Sequence, residues 1–304
     1  MATPMRSTDF RSIVEPILNE SFDGVYDQRA DEWKGVFDEV KGIPRNYHEE
    51  PVLYGFGAAP ELPDGMAVTY QSGGVLWVQR YLYKVYGLAF ALTKVLVEDG
   101  DHIRIGQTYA KHLAQSLVET KETLTANVLN RAFNSSYTGG DGKSLVATDH
   151  PIVNGSFSNQ LTTAAALSQT SLEQMLIQIR NAVDNNGKRI RLTPQKLVLS
   201  PSNVFQGEVL LNSVLRAGTA NNDLNPVKSM GMLPGGQANM SRLTSTTAWW
   251  VLTDAPEGLK VVTRRGLEKS MEGDFETDSM RYKATERYAV GWTDPRAAYG
   301  TAGA

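Results

Sequence analysis

Residue types able to do chemistry are sparse in this chain of 304 residues. There is no cysteine, so no disulfide framework, thiolate metal site or cysteine nucleophile can be built. The four histidines, His48, His102, His112 and His150, show no metal-ligand spacing such as HExxH, and without thiolates a structural zinc site lacks donors. Asp149-His150 precedes Pro151, but no GxSxG elbow presents a serine to that pair. It reads as a turn-stabilising aspartate beside a surface histidine. Gly142-Lys143-Ser144 echoes a phosphate loop. That motif needs a glycine where Tyr137 stands, and it needs a strand before and a helix after, whereas here a helical pattern comes first. The acid pairs Glu49-Glu50 and Asp31-Glu32 sit in polar, flexible stretches, with no reason for a shifted carboxylate pKa. No catalytic residue, cofactor or metal is assigned. An enzyme of α+β class is left without a nucleophile, thiol or metal constellation to carry it.

The elements that could position a function are clearer. From Ile103 to Asn134, Tyr109, Ala110, Leu113, Ala114, Leu117, Leu124, Val128 and Ala132 share one side of a helical wheel. His112, Gln115, Ser116, Glu119, Glu122 and Asn130 share the other. Asp99 and Asp101 offer N-caps, Ser135, Ser136, Gly139 and Gly140 a stop, and no proline interrupts. At about 1.5 Å per residue this predicts a rod of about 45 Å, a spine for sheets on either side.

Ahead of it, Phe10, Ile13, Val14, Ile17, Leu18 and Phe22 form one apolar stripe, and Trp33, Val36, Phe37 and Val40 another, with breaks at Pro16 and Gly24. These acid-rich segments have no core of their own. They read either as an arm lying on another surface or as a helix pair on their own domain. From Gly42 to Gly74, Pro44, Pro51, Pro60 and Pro63 among repeated glycines exclude a long helix. A loop of this length is usually an interaction element. Met66–Gln71 and Val75–Tyr86 are β-prone, and Ser72-Gly73-Gly74 between them predicts a hairpin. A lone ribbon is marginal in water, so its aromatics need a partner surface.

Residues 152–170 read as a linker. Ser171-x-x-Gln174 predicts a capping box for a helix carrying Leu172, Met175, Leu176, Ile179 and Val183, ended by Asn185-Asn186-Gly187. Lys196–Ser200 is a short buried strand, Val204–Asn212 a helix, and Gly218–Gly236 a surface loop. Strands follow at Trp249–Thr253, Leu259–Thr263 and Tyr282–Trp292, the last two separated by an acidic stretch around Met271–Asp278. The order describes an α+β protein of two units.

Net charge is −3, spread unevenly: residues 1–50 carry 6 Lys+Arg against 11 Asp+Glu, and residues 150–260 carry 9 against 6. Both runs read as solvated surface, with no basic face for sequence-specific nucleic-acid binding. The start lacks the apolar core of a secretory signal, and the apolar run Tyr86–Val97 is too short to span a bilayer. A soluble protein made in the cytoplasm, with no membrane partner, is expected.

This order of parts resembles the major capsid proteins of tailed bacteriophages, in the Mu-like branch. The resemblance covers nearly the whole chain. It is carried by VYGLAFALTKVLVEDGD (85–101), by DGKSLVATDHP (141–151), by LTPQKLVLSP, and by AWWVLTDAPEGLKVVTRRGLE with RYKATERYAVGWTDPRAAYG. It implies a tailed-phage capsid fold: an N-terminal arm (1–47), an extended β-hairpin loop (48–92), a peripheral domain (93–150 and 255–304) with spine helix 103–134, and an inserted axial domain (151–254). Axial domains of such shells meet at five- and six-fold centres, while the hairpin and arm reach over neighbours. The implied function is self-assembly through hexamers and pentamers into an icosahedral shell around packaged double-stranded DNA. Its place is the virion, after assembly in the bacterial cytoplasm. Trp33, Phe37, Tyr70, Gly73, Gly74, Trp77, Arg80, Asn225 and Pro226 are the candidate inter-subunit contacts.

Some relatives cross-link a loop lysine to a neighbour's asparagine. No lysine lies between Lys41 and Lys84, so a shell held non-covalently or by a separate cement or decoration protein is expected. A separate scaffolding protein and a portal protein complete the expected partners. Arm acids facing DNA would be repelled, so they should face subunits or solvent, or pair with Arg6, Arg11 and Arg29. A bacterial nanocompartment shell of the same fold is the alternative. It would show a cargo-docking groove, and the arm's length and acidity suit it poorly.

Overall fold

A computed structural model describes residues 7–27, 31–93, 95–96, 102–216, 223–274 and 279–303, with side chains from Val14 onward. The expected caps Asp99 and Asp101, the side chains of Phe10, Arg11 and Ile13, the pairing arginines Arg6 and Arg29, and parts of the 218–236 and 271–278 segments lie outside what the structure describes.

The long helix is present as α2, His102–Asn130, four residues shorter at its C-terminal end than its pattern. Ahead of it, α1 spans Ser7–Tyr26 and runs through Pro16, where the sequence suggested a break. A proline inside a helix removes one hydrogen bond. The helix persists because Val14, Leu18 and Phe22, four residues apart, bury completely against Ala110, Leu113, Ala114 and Leu117 of α2. Of the two readings of this region, helix packing on its own domain is the one the structure adopts.

Strands β1 (Asp38–Lys41), β2 (Tyr47–Tyr54), β3 (Gly74–Leu82) and β4 (Lys84–Thr93) precede α2. After it come β5 (His150–Ile152), β6 (Gly155–Phe157), α3 (Gln169–Arg180), β7 (Pro194–Leu199), α4 (Val204–Asn212), α5 (Pro226–Ser229), β8 (Gln237–Asn239), β9 (Trp249–Thr253), β10 (Leu259–Asp274), β11 (Ser279–Trp292) and β12 (Ala298–Thr301). Two four-stranded sheets result, ordered β1-β10-β11-β4 and β12-β9-β7-β8, with β2-β3 and β5-β6 as separate ribbons. In the first sheet β1 runs parallel to β10 and the other pairs are antiparallel. Met271, Tyr282 and Ala284 of this sheet meet α1 and α2 in one core. A second core joins the C-terminal half of α2 to both sheets through Leu129, Leu145, Val198, Trp250, Val261 and Tyr288. The third lies under α3 and α4, where Leu172, Met175 and Ile179 meet Leu199, Trp249 and Tyr299. Tyr299 comes from β12, so the last strand described completes the sheet of β9, β7 and β8.

Local capping differs from its expected form. The helix α3 starts two residues before Ser171: Ser168 is the N-cap, and Ser171 supplies the reciprocal hydroxyl of the box. It also ends at Arg180, before Val183, and Gly187 (φ +81°) turns the chain within the Asp184–Lys188 loop.

The hairpin's pairing also differs. Met66–Gln71 is not a strand; β3 pairs instead with β2, from Tyr47↔Leu82 to Tyr54↔Gly74. Glutamates and a proline disguise β2, since all three are depleted in strands. Cross-strand partners offset this: Glu49 pairs with Arg80, and Pro51 sits opposite Val78. Nineteen residues, 55–73, therefore form the ribbon's tip, without a strand of their own.

Candidate assembly surfaces

The ribbon is anchored at its base by a polar network. Glu50 accepts hydrogen bonds from Lys260 Nζ (2.7 Å) and Thr293 Oγ1, and lies 3.0 Å from His48 Nε2. Lys260 is buried and also pairs with Glu257. Tyr81 OH meets Thr293 Oγ1 at 2.6 Å. Burial pushes the Glu50 carboxyl up, but the Lys260, Thr293 and His48 hydrogen bonds outweigh it and hold the pKa below its ordinary value. This corrects the reading of Glu49-Glu50 as flexible acids. The network fixes where the ribbon leaves the body, because Lys260 belongs to β10 and Thr293 directly follows β11.

At the other end the tip is held lightly. Gly57 N–H donates to Gln71 Oε1 (2.7 Å), while Asn185 Nδ2 and Lys188 Nζ donate to the carbonyls of Leu53 (2.8 Å) and Phe56 (2.7 Å). Its apolar side chains are not covered: Phe56, Leu62, Met66 and Val68 are exposed, and Tyr70 is 95% exposed. Gly73 and Gly74 fit where a Cβ would come within 2.7 Å of the Tyr54 carbonyl oxygen and 2.6 Å of the Tyr54 hydroxyl. Close approach to backbone requires the glycine at Gly73, apart from any contact with a neighbour, whereas at Gly74 the Tyr54 side chain could move aside.

The remaining candidate contacts divide by burial. Arg80 is on the surface, paired with Glu49 and lying 4.7 Å from the Tyr47 ring centroid. Trp77 packs instead against Gly140, where a Cβ would approach the indole to 2.9 Å. Trp33 and Phe37 are fully inside the core around α2. Asn225 is buried as the N-cap of α5, accepting from Val227 N–H (3.1 Å) and donating to Leu210 O (2.8 Å); Pro226 is the first residue of that turn. Trp33, Phe37, Trp77 and Asn225 thus hold this chain together, and the exposed Tyr70, Arg80 and Gly73, with the half-buried Gly74 and Pro226, are what a neighbour could touch. A second apolar surface, not expected, surrounds α4: Phe205, Val209, Val214, Leu215, Leu224 and Met230 are exposed. Its only signal in the sequence is that VFQGEVLLN is apolar around most of its circumference, more than one buried face needs.

Acids of the N-terminal region are paired within the chain. Tyr26 OH donates to Glu286 Oε1 (2.5 Å), and Lys121 Nζ lies 2.8 Å from Glu286 Oε2 and 5.0 Å from the Tyr288 ring centroid. Burial, with Glu286 alongside, pushes the Tyr26 phenol well above its usual range. Asp23 meets Lys269 at 2.5 Å, and Glu32 accepts from Ser241 N–H (2.8 Å). Glu122, placed by its wheel position on the solvent face of α2, is buried and accepts the Glu32 N–H (2.7 Å), capping the turn that carries Trp33. Desolvation raises its pKa.

His150 is also not a surface residue. It is fully buried, with Nδ1 2.6 Å from Asp141 Oδ2 and Nε2 3.1 Å from Asn159 Oδ1. Asn159 Nδ2 in turn donates to the carbonyls of Leu145, Pro295 and Ala298. Both imidazole nitrogens are therefore engaged in tying the turn after α2 to the chain's C-terminal end. Lys143 of the Gly-Lys-Ser turn pairs with Asp149. Among the described residues no group of His, Asp and Glu could hold a metal ion, and no helix is long and apolar enough to cross a membrane.

The described residues thus hold two four-stranded sheets, a long helix packed on both, and a ribbon with an uncovered tip. Residues 80–301 match the phage capsid protein family, and the chain belongs to that family. It is a structural, non-enzymatic protein whose place is the virion capsid. The fold is similar to the capsid structure of the cyanophage P-SCSP1u (TM-score 0.58, 13% identity, covering 91% of this chain and 89% of that one). It is also similar to a virus-like particle from Pyrococcus furiosus (0.55, 12%, 94% and 98%). The mature capsid of bacteriophage PhiM1 is a third (0.52, 14%, 90% and 87%). No curated protein sequence matches the chain.

Proposed function

We propose that this chain is the major head subunit of a tailed phage, closing as hexamers and pentamers into an icosahedral shell around double-stranded DNA. One observation carries the proposal: a 19-residue ribbon tip whose apolar side chains have no cover in their own chain. Such a surface is marginal on an isolated subunit and stable when buried between copies, at about 25 cal/mol per Å² of apolar area. Repetition around each symmetry axis multiplies a modest contact.

In this reading residues 93–150 and 255–304 form the peripheral domain around α2 and residues 151–254 the axial domain, with the apolar surface around α4 turned toward the symmetry centres. The passages at 85–101 and 141–151 support placement in the Mu-like branch. With no lysine in the ribbon tip, the shell is held non-covalently or by a cement protein. A separate scaffolding protein guides assembly in the host cytoplasm, and a portal protein occupies one vertex. Negative-stain electron microscopy beside sedimentation velocity tests the reading. Closed angular shells, or rings of five and six, support it. A monomer or dimer that persists at high concentration, with or without scaffold, refutes it.

A further inference from the structure

One group of cations is only partly satisfied by contacts among the described residues. On β10 the register slips between Thr263 and Arg265, so two consecutive residues pass one step of β11. Bulges of this kind re-aim side chains. Here the slip leaves Arg265 directly opposite Arg287, with Arg264 beside them. Like charges placed opposite one another in a sheet are destabilising. Arg264 and Arg287 both act on the Tyr83 phenol, and the Arg287 guanidinium lies 5.9 Å from the Tyr83 ring centroid. All three Nε atoms are buried without an acceptor. Arg265 reaches Thr285 Oγ1 (3.1 Å) and an exposed carboxylate, Glu268, at 3.2 Å through its Nη atoms. Arg264 and Arg287 have no carboxylate partner among the described residues.

With Arg265 opposite Arg287 in the register and Arg264 and Arg287 both beside Tyr83, the cluster is suited to an oxyanion, since the guanidinium fork matches a carboxylate in two parallel hydrogen bonds. The same chain carries a complementary surface. From Asn46 to Gln79 there is no lysine or arginine, and the exposed ribbon tip holds Glu61 and Asp64. We infer that the Arg264–Arg265–Arg287 cluster binds a carboxylate from the ribbon tip of a second copy, Glu61 or Asp64. This rests on the shell-forming reading above and names the contact through which the tip is held. Tip and cluster are different patches, so the contact is head-to-tail and repeats around a ring. It would also hold, without a covalent bond, a tip that has no cross-linking lysine.

A charge swap tests it. Glu61→Arg with Asp64→Arg, and separately Arg264→Glu with Arg287→Glu, are each expected to lower the yield of closed shells at least tenfold. The chain carrying all four changes should recover a large part of the wild-type yield, because the two introduced glutamates outnumber the one cation left in the cluster, Arg265, which keeps Glu268 as its partner. Thermal melting of the unassembled subunits controls for folding, and is expected to move little for the tip pair. Failure of the four-fold variant to recover, while each pair folds and the wild type closes, overturns the inference. Shells that close normally with reduced DNA retention would assign the arginines to nucleic-acid phosphate, and would overturn it too. A wild type that forms no shells refutes the shell reading itself.

Discussion

Two segments of this chain begin alike and finish differently. Neither α1 nor the ribbon tip has a core of its own, yet α1 buries Leu18 and Phe22 completely while the tip leaves Tyr70 95% exposed. The difference lies in periodicity. Val14, Leu18 and Phe22 repeat every four residues, so one helical face is apolar and α2 offers a matching one. The tip carries as many apolar residues, but Pro60, Pro63 and its glycines deny it any repeat, and without a repeat there is no single face to bury. A helical arm can therefore be satisfied inside the subunit, whereas an aperiodic one needs a shaped partner.

The largest expected effect follows from α1. Phe22→Ala should cost about 3–5 kcal/mol of subunit stability in chemical denaturation, whereas Tyr70→Ala should cost about 0.5 kcal/mol or less and act on assembly. Equal effects on subunit stability would erase the contrast. Next comes the polar tie of α1. Glu286 is buried between Tyr26 and Lys121, and Glu286→Gln, which strands the lysine's charge, should cost about 3 kcal/mol. Proteolysis should then release the N-terminal helix before any other element.

Smaller effects separate two carboxylates by sign. The pKa of Glu50 is lowered by folding, so it contributes stability above its unfolded value of 4.5 that is lost as pH falls through the folded value. Glu122 has a raised pKa, so it carries a penalty at neutral pH that is relieved as pH falls through its folded value and is gone below 4.5. Denaturation from pH 7 to pH 3 should show Glu50→Gln flattening the acid loss of stability. Glu122→Gln, which keeps an acceptor for the Glu32 and Trp33 amides, should be neutral or slightly stabilising at pH 7. A variant Glu50→Gln as stable as wild type at pH 7 would show that this carboxylate does not anchor the ribbon.

Much of the frame was legible because it is periodic. The spine helix, the strand within Lys196–Ser200 and the closing strands announce themselves by repeats of 3.6 or by apolar β-branched runs. What was hidden depends on partners distant in sequence. Glu122 looks solvated until the Glu32 and Trp33 amides arrive, and β2 looks like a loop until Arg80, Lys260 and Val78 pair with it. His150 reads as exposed because Asp141 and Asn159, its two partners, are each nine residues away along the chain. The contact residues fared by the same rule: large aromatics such as Trp33 and Trp77 are as useful to a core as to an interface, and composition does not tell these apart.

If the ribbon tip is buried only between copies, amide hydrogen exchange over residues 55–73 will report it. Exchange in unassembled subunits should be fast, and in closed shells it should slow by orders of magnitude, while α2 is protected in both. A tip already protected in the free subunit, or one that still exchanges freely in the closed shell, would show that copies do not bury it.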